Sequence, residues 1–341
     1  MAGAAEFINL AAPHKQSVVE ESRHDDGVSY LDRTILIGAC RHVAVPRAAV
    51  RATSRWILVT SANIVQSLAR GRDRITVTRH EIAFDDGAAY EKFMGLWSRL
   101  AGARFIEWLD LPPGLRWLDV GCGSGAFTEL LVRQCAPSAI AGIDPSEAQL
   151  DFARSRVVSP VVQFRQGDAV ALPFADDAFD AAVMPLVIFF VREPALAIAE
   201  MTRVVVPGGS VTAYAWDMPG GGFPYAMVHA AARSLGVEVP SAPSPEASRL
   251  DVLEELWSSA GLEAVDTLAI SVQRTFADFE DYWETLLGGA SIGRQLTELG
   301  REDRDRLRAM LRDGLPAPDS GGRITTSARA NAIRGRVRQG A

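Results

Sequence analysis

Several kinds of protein are excluded by what this chain of 341 residues lacks. Its three cysteines, Cys40, Cys122 and Cys135, form no CxxC pair, and with five scattered histidines they give no zinc-ligand spacing. A structural or catalytic metal is therefore not expected, and a reduced, cytoplasmic setting fits. There is no basic excess: 35 Lys and Arg stand against 42 Asp and Glu, a net charge of −7. Proteins that hold nucleic acid by counterion release need the opposite balance, so small-molecule partners are favoured over nucleic acid. No apolar run reaches the about 18 residues that suggest a membrane-spanning helix. The strongest, AAVMPLVIFFV from Ala181 to Val191, reads as a buried strand and its exit, so no integral membrane span is expected. The start, MAGAAEFINLAAPHKQ, lacks the charged segment and continuous apolar segment of a secretory signal, and export is not expected.

The composition, 48% hydrophobic and 23% charged, is that of a chain able to bury a substantial core. Its first 80 or so residues have a different texture. Between Arg33 and Arg79 nine arginines face one acid, Asp73. This stretch, taken as residues 1–82, reads as an N-terminal appendage, poorly ordered or partly helical, with a basic docking or targeting arm as the sharper alternative. From about Tyr90 the pattern is regular. A helix carrying Phe93, Leu96, Trp97, Leu100, Phe105, Trp108 and Leu109 is stopped by Pro112, Pro113 and Gly114. Strands follow at 116–120, 139–144, VVQFRQGD and FDAAVMPLV, with helices between them. Pro145 is expected just inside the start of one helix and Pro194 opens another; PGG then reads as a turn before the strand SVTAYAWD. LEAVDTLAISVQRTF reads as a sixth strand and GRITTSARANAIRGRV, 322–337, as a last, antiparallel one whose arginines form a solvated face.

Strands alternating with helices imply β-α-β units, a mostly parallel, doubly wound α/β sheet of Rossmann-like type with helices on both faces. Ligands in such sheets sit at the carboxyl ends of the strands. That rule gathers Gly121, Asp144, Asp168 and residues 184–186, beginning at Met184, on one edge.

At that edge RWLDVGCGSGAF, 116–127, places three glycines in five positions between a strand and a helix. Such a turn aims amide N–H groups at a docked ligand, and the missing Cβ atoms admit close contact. Gly121, Gly123 and Ala126 satisfy G-x-G-x-x-A, a pattern also found in dinucleotide sites. The neighbouring acids discriminate. Asp119 stands at the strand tip, where a carboxylate repels a pyrophosphate and attracts an ammonium or sulfonium group. Asp144, 23 residues after Gly121, suits the two ribose hydroxyls of either cofactor. Asp168, at the end of the third strand, is able to accept from an exocyclic adenine amine.

With LDVGCGSG (118–125), GIDPSEAQLDFAR (142–154), GDAVALPFADDAFDAAV (167–183) and RVVVPGGSV (203–211) in this order, the chain resembles the class I S-adenosylmethionine-dependent methyltransferases. Within them it resembles the broad group that includes the quinone-biosynthesis C-methyltransferases. The resemblance spans Tyr90 to Val337 and implies a seven-stranded methyltransferase domain, 83–341, with helical lid elements around 218–260 and 276–315. It further implies S-adenosyl-L-methionine as cofactor and a small-molecule methyl acceptor. The glycines Gly121, Gly123 and Gly125 with Asp119 would line the methionine moiety and ribose; Asp144 would bind ribose hydroxyls, and Asp168 with Ala169 would border adenine. Cys122, Pro145 and Met184 complete that rim, and a tyrosine at the position of Tyr90 covers the cofactor in similar proteins. Val206 departs from the family, which usually has lysine before the Pro-Gly-Gly.

Other residues have plainer readings. Gly208 and Gly209 serve a turn; Asp176, Asp177 and Asp180 form a solvated loop and strand entry; Trp97, Phe105 and Trp108 are core; Cys122 is a small filler rather than a nucleophile. Methyl transfer from an activated sulfonium needs chiefly positioning, with a general base for a poor nucleophile. The candidates for that base are His229 and Asp217. The fourth-strand exit, MPLV, is not the Asn/Asp-Pro-Pro-aromatic run of amino-methyltransferases acting on bases, and no Pro-Cys pair suggests attack on cytosine. An NAD-dependent oxidoreductase is the alternative enzyme; Asp119 disfavours it, and Tyr214, Tyr225 and Tyr282 have no lysine four places on. A non-catalytic cofactor-binding module of the same fold is the third reading. Oligomeric state is not legible.

Overall fold

The computed structural model describes residues 91–289 and 292–339. Tyr90 and the expected appendage, 1–82, lie outside the described residues. Seven strands form one sheet: β1 (Arg116–Val120), β2 (Ala139–Asp144), β3 (Val162–Gln166), β4 (Phe179–Pro185), β5 (Val205–Trp216), β6 (Glu263–Phe276) and β7 (Ile324–Arg336). Their order is β3-β2-β1-β4-β5-β7-β6. The first five run parallel, and β7 is antiparallel to both β5 and β6. The chain proceeds outward from β1 to β3 and then returns to β4 on β1's other side. β1 therefore ends at the switch point where open α/β sheets form a ligand crevice.

The sequence of each strand matches its place. β4 reads FDAAVMP and is buried at nearly every position, as a central strand covered on both faces must be. Edge strand β6 alternates buried and exposed residues along much of its length. The helices are α1 (Leu96–Leu109), α2 (Ala126–Gln134), α3 (Glu147–Arg156), α4 (Pro194–Val204), α5 (Ala226–Ser234), α6 (Leu250–Ser259), α7 (Phe279–Leu287), α8 (Gly293–Glu298) and α9 (Arg301–Gly314). α1 buries Trp97, Ala101, Phe105 and Leu109, four residues apart, and stops at Asp110, which takes a left-handed φ of 46° just ahead of the two prolines. Pro194 begins α4 as expected, because a first-turn residue has no N–H partner to lose.

The structure differs from the sequence expectations in several places. Pro145 lies outside α3: Ser146 is its cap, with Oγ accepting from Gln149 N, so the helix starts at Glu147, two residues later. Pro207-Gly208-Gly209 lies within β5, not in a turn ahead of it, and the β4–β5 register jumps there from Phe179↔Val205 to Ala181↔Ser210. Asp180 is only partly solvated, at the entry of β4: it accepts from Arg116 Nη2 at 2.7 Å and from the Arg116 backbone N at 2.8 Å, joining β4 to β1. Arg323, Arg329, Arg336 and Arg338 are exposed, as expected of a solvated face, and several arginines of this segment are also paired there. Arg334 lies over the Trp108 ring and pairs with Asp266, Arg329 pairs with Asp217, and Arg338 pairs with Glu263. Among the segments expected as lids, α6 instead packs on the sheet. Its Trp257 is fully buried, donates Nε1–H to the Val211 carbonyl at 2.9 Å, and rests where Gly335 leaves room.

Candidate functional site

The three loop glycines all have positive φ, 74° at Gly121, 50° at Gly123 and 75° at Gly125. That conformation costs an L side chain about 1–2 kcal/mol. Each excludes a Cβ for a different reason. A Cβ on Gly121 would stand 2.6 Å from Val187 Cγ2 at the exit of β4. One on Gly125 would press on Ala153 and Val157 at 3.1 and 3.2 Å, where α3 crosses the loop. At Gly123 the nearest atom is Gln149 Oε1, 3.9 Å away. Two glycines thus serve packing, and the middle one keeps open the backbone that a ligand would approach.

Backbone bonds seat this loop over the end of β2. Gly121 N and Cys122 N both donate to the Ile143 carbonyl, at 2.7 and 3.0 Å. Gly123 N donates to Asp144 Oδ2 at 3.0 Å, and Ser146 N donates to Asp144 Oδ1 at 2.9 Å. The half-buried Asp144 carboxyl is raised in pKa by burial, against which the two amides act. Each of its oxygens keeps a lone pair for a further donor such as a ribose hydroxyl.

Asp119 is fully buried beneath the loop. Its Oδ2 accepts from Thr128 Oγ1 at 2.6 Å, while Oδ1 has no hydrogen-bond partner. Burial pushes its pKa up to about 7; the Thr128 bond opposes the rise and nearby Asp144 adds to it. An unpartnered buried carboxylate oxygen is costly, and a cation is the partner that relieves it most. Thr128, on the first turn of α2, is a residue the sequence reading missed; its hydroxyl reads as an ordinary helix position until β1 and α2 are brought together.

The remaining rim residues divide. Cys122 is buried, its Sγ facing Gly142, and its thiol is pushed well up by burial and by the two carboxyls, so a small neutral filler fits and a thiolate does not. Met184 is fully buried in β4. Asp168 is exposed past β3 and accepts from Val170 N at 3.2 Å; Ala169 follows it, half-buried. Pro145 is exposed, with its carbonyl taking Gln166 Nε2 at 2.9 Å. Leu186, next after β4, holds a left-handed φ of 60° fastened by its N–H to the Tyr214 carbonyl at 2.7 Å. Such strain on a non-glycine residue concentrates at ligand sites, and nothing in the residue type announces it.

The two base candidates both follow β5 in the chain. His229 lies on α5 against Phe223, ring centroids 5.0 Å apart, buried, with Nε2 unpartnered and its pKa lowered to about 4 by burial first and by Arg233. Asp217 accepts from Gly220 N at 3.0 Å and from the Arg329 guanidinium, and lines a pocket of about 450 Å³ with Arg249, Asp251 and Asn331.

The sheet order is that of a methyltransferase fold, and residues 118–213 match the family model described as a methyltransferase domain. The chain is 36% identical over 116 residues to 2-phytyl-1,4-naphtoquinone methyltransferase of Thermosynechococcus vestitus, covering 33% of this chain and 50% of that protein. It is 36% identical over 126 residues to demethylmenaquinone methyltransferase of Renibacterium salmoninarum, covering 36% of this chain and 48% of that one. The matched region thus spans about half the length of these curated relatives. Among solved structures, phosphoethanolamine N-methyltransferase 2 of Haemonchus contortus, in complex with phosphomonomethylethanolamine and S-adenosylhomocysteine, aligns with a TM-score of 0.50 at 17% identity, over 76% of this chain and 59% of that one. Among the described residues no helix is long and apolar enough to cross a membrane.

Proposed function

We propose that the protein is a methyltransferase that moves the methyl group of S-adenosyl-L-methionine to a small organic acceptor by in-line displacement. The observation that carries this reading is the unpartnered Oδ1 of buried Asp119, close to an Asp144 carboxyl that two backbone amides hold in place at the open Gly123. A cation at Asp119 and hydroxyl donors at Asp144 are what the adenosyl sulfonium compound offers together; a dinucleotide offers the hydroxyls but brings a pyrophosphate to a carboxylate. When bound, the cofactor supplies a methyl group already activated by positive sulfur. The chain's part is to fix that group, exclude water and align the acceptor, and such positioning is worth up to about 7–11 kcal/mol.

In this reading Asp119, Gly121, Gly123 and Gly125 border the methionine and ribose, Asp144 takes the ribose hydroxyls, and Asp168 with Ala169 borders the adenine. Neutral His229 would serve as a base only for an acidic acceptor, since a pKa near 4 makes it weak. Asp217 is already committed to Arg329. The names of the relatives supply the first acceptors to assay, demethylmenaquinone and 2-phytyl-1,4-naphthoquinone. Calorimetry of S-adenosylhomocysteine and of NAD against the parent and Asp144→Ala tests the cofactor assignment. Binding of the former that Asp144→Ala abolishes supports it; binding of NAD alone, or of neither, overturns it.

A further inference from the structure

The loop between β3 and β4 carries Asp168 and Ala169, yet it is held by a helix that follows β4. Glu200 and Arg203 lie on α4, three residues apart, and their side chains are joined by two bonds of 2.7 Å. Together they take up loop backbone. Glu200 Oε2 accepts from Leu172 N at 2.8 Å; Arg203 Nη2 donates to the Leu172 carbonyl at 3.1 Å; and Arg203 Nη1 donates to the Phe174 carbonyl at 2.9 Å and to Asp176 Oδ1 at 2.7 Å. Both backbone groups of Leu172 are thereby committed to α4. Just before the clamp, Ala171 N donates to the Asp168 carbonyl at 3.2 Å, so one short turn separates the gripped residue from the rim.

Asp168 itself is exposed, and the bond that it accepts, from Val170 N, is local to the same turn. On its upstream side Gly167 N donates to the Asp144 carbonyl at 3.1 Å; on its downstream side Leu172 and Phe174, both buried, anchor the loop, and α4 holds their polar backbone. The guanidinium's planar fork serves three loop acceptors and Glu200 at once, which an ammonium cannot reproduce.

We infer that Glu200 and Arg203 are positioning residues for the adenine end of the cofactor site, acting through the loop backbone on Asp168 and Ala169. This inference rests on the cofactor reading above. The test uses the full chain with Arg203→Lys, Glu200→Gln, Asp168→Ala and the double variant Arg203→Lys/Asp168→Ala. S-adenosylhomocysteine affinity is measured by calorimetry, amide hydrogen exchange at Val170 to Leu172, and Tm as a check on folding. Arg203→Lys and Glu200→Gln should speed exchange at those amides and weaken binding by about tenfold, the loss of roughly one well-made bond to a charged group. The double variant should bind no more weakly than the weaker of its two parents, because both changes remove the same contact. Unchanged affinity in the single variants, or losses that simply add, overturns the positioning role while leaving the cofactor reading intact. A parent that fails to bind S-adenosylhomocysteine overturns both.

Discussion

The two halves of this molecule are built by different means. From β1 to β3 the candidate site is made of strand ends, loop amides and three acids, and its contacts are mostly short-range. Gly123 meets Asp144 across 21 residues and Asp119 meets Thr128 across nine. From α5 to α9 the structure depends on side chains far apart in the chain. Tyr225 stacks on Phe93 at 4.2 Å, accepts from Trp97 Nε1 across 128 residues and donates to the Phe93 carbonyl across 132. The first half is a scaffold whose geometry follows from backbone rules, and the second is packed so that its geometry follows from which aromatic meets which. Damage to the acids of the first should register in ligand affinity, and damage to the packing of either in stability.

The largest effect should come from the sheet's far side. Trp257→Ala removes a fully buried indole and strands the Val211 carbonyl, and should cost about 3–5 kcal/mol in denaturant unfolding. Gly121→Ala probes the scaffold. A Cβ at 2.6 Å from Val187 with a left-handed backbone should cost about 3 kcal/mol, and Gly121→Ala/Val187→Ala should recover part of it, as read from paired unfolding curves. Tyr225→Phe should cost about 1–3 kcal/mol by leaving Trp97 Nε1 and the Phe93 carbonyl without that hydroxyl, with S-adenosylhomocysteine affinity unchanged. An equal loss of affinity would erase the division between the halves.

The subtlest test is in pH. Asp119 has a folded-state pKa of about 7 against an ordinary value near 3.9, so the folded chain holds that proton more tightly than the unfolded one. Its unfavourable contribution is absent below about pH 4, sets in as pH rises and is complete above about 7. Ligand-free Tm should therefore decline across that window, and Asp119→Asn should flatten the decline. In the other direction, affinity for S-adenosylmethionine should rise through pH 7 as the carboxylate ionises, a trend that Asp119→Asn should abolish.

Much of the scaffold was legible because β-α-β alternation and acids at strand ends are local patterns. The run FDAAVMPLV announced a central strand, and Asp119, Asp144 and Asp168 followed from the rule that ligands sit at carboxyl ends. Val187 did not, since an aliphatic residue after a strand carries no mark of the glycine it meets. The partners of Asp180, Arg329 and Arg334 were hidden for the same reason: each ion pair joins segments 64, 112 and 68 residues apart. Glu200 and Arg203 sit at ordinary helix spacing, and only the returning loop shows what they grip.

By itself the sequence determined the doubly wound sheet, its switch point and the chemical character of the rim, because hydrophobic period, glycine conformation and charge act over a few residues. Tertiary structure decided which glycine faces open space, which carboxylate oxygen is left without a partner, and which acids the exposed arginines pair with. Those outcomes depend on contacts between segments whose separation along the chain carries no information about their distance in space.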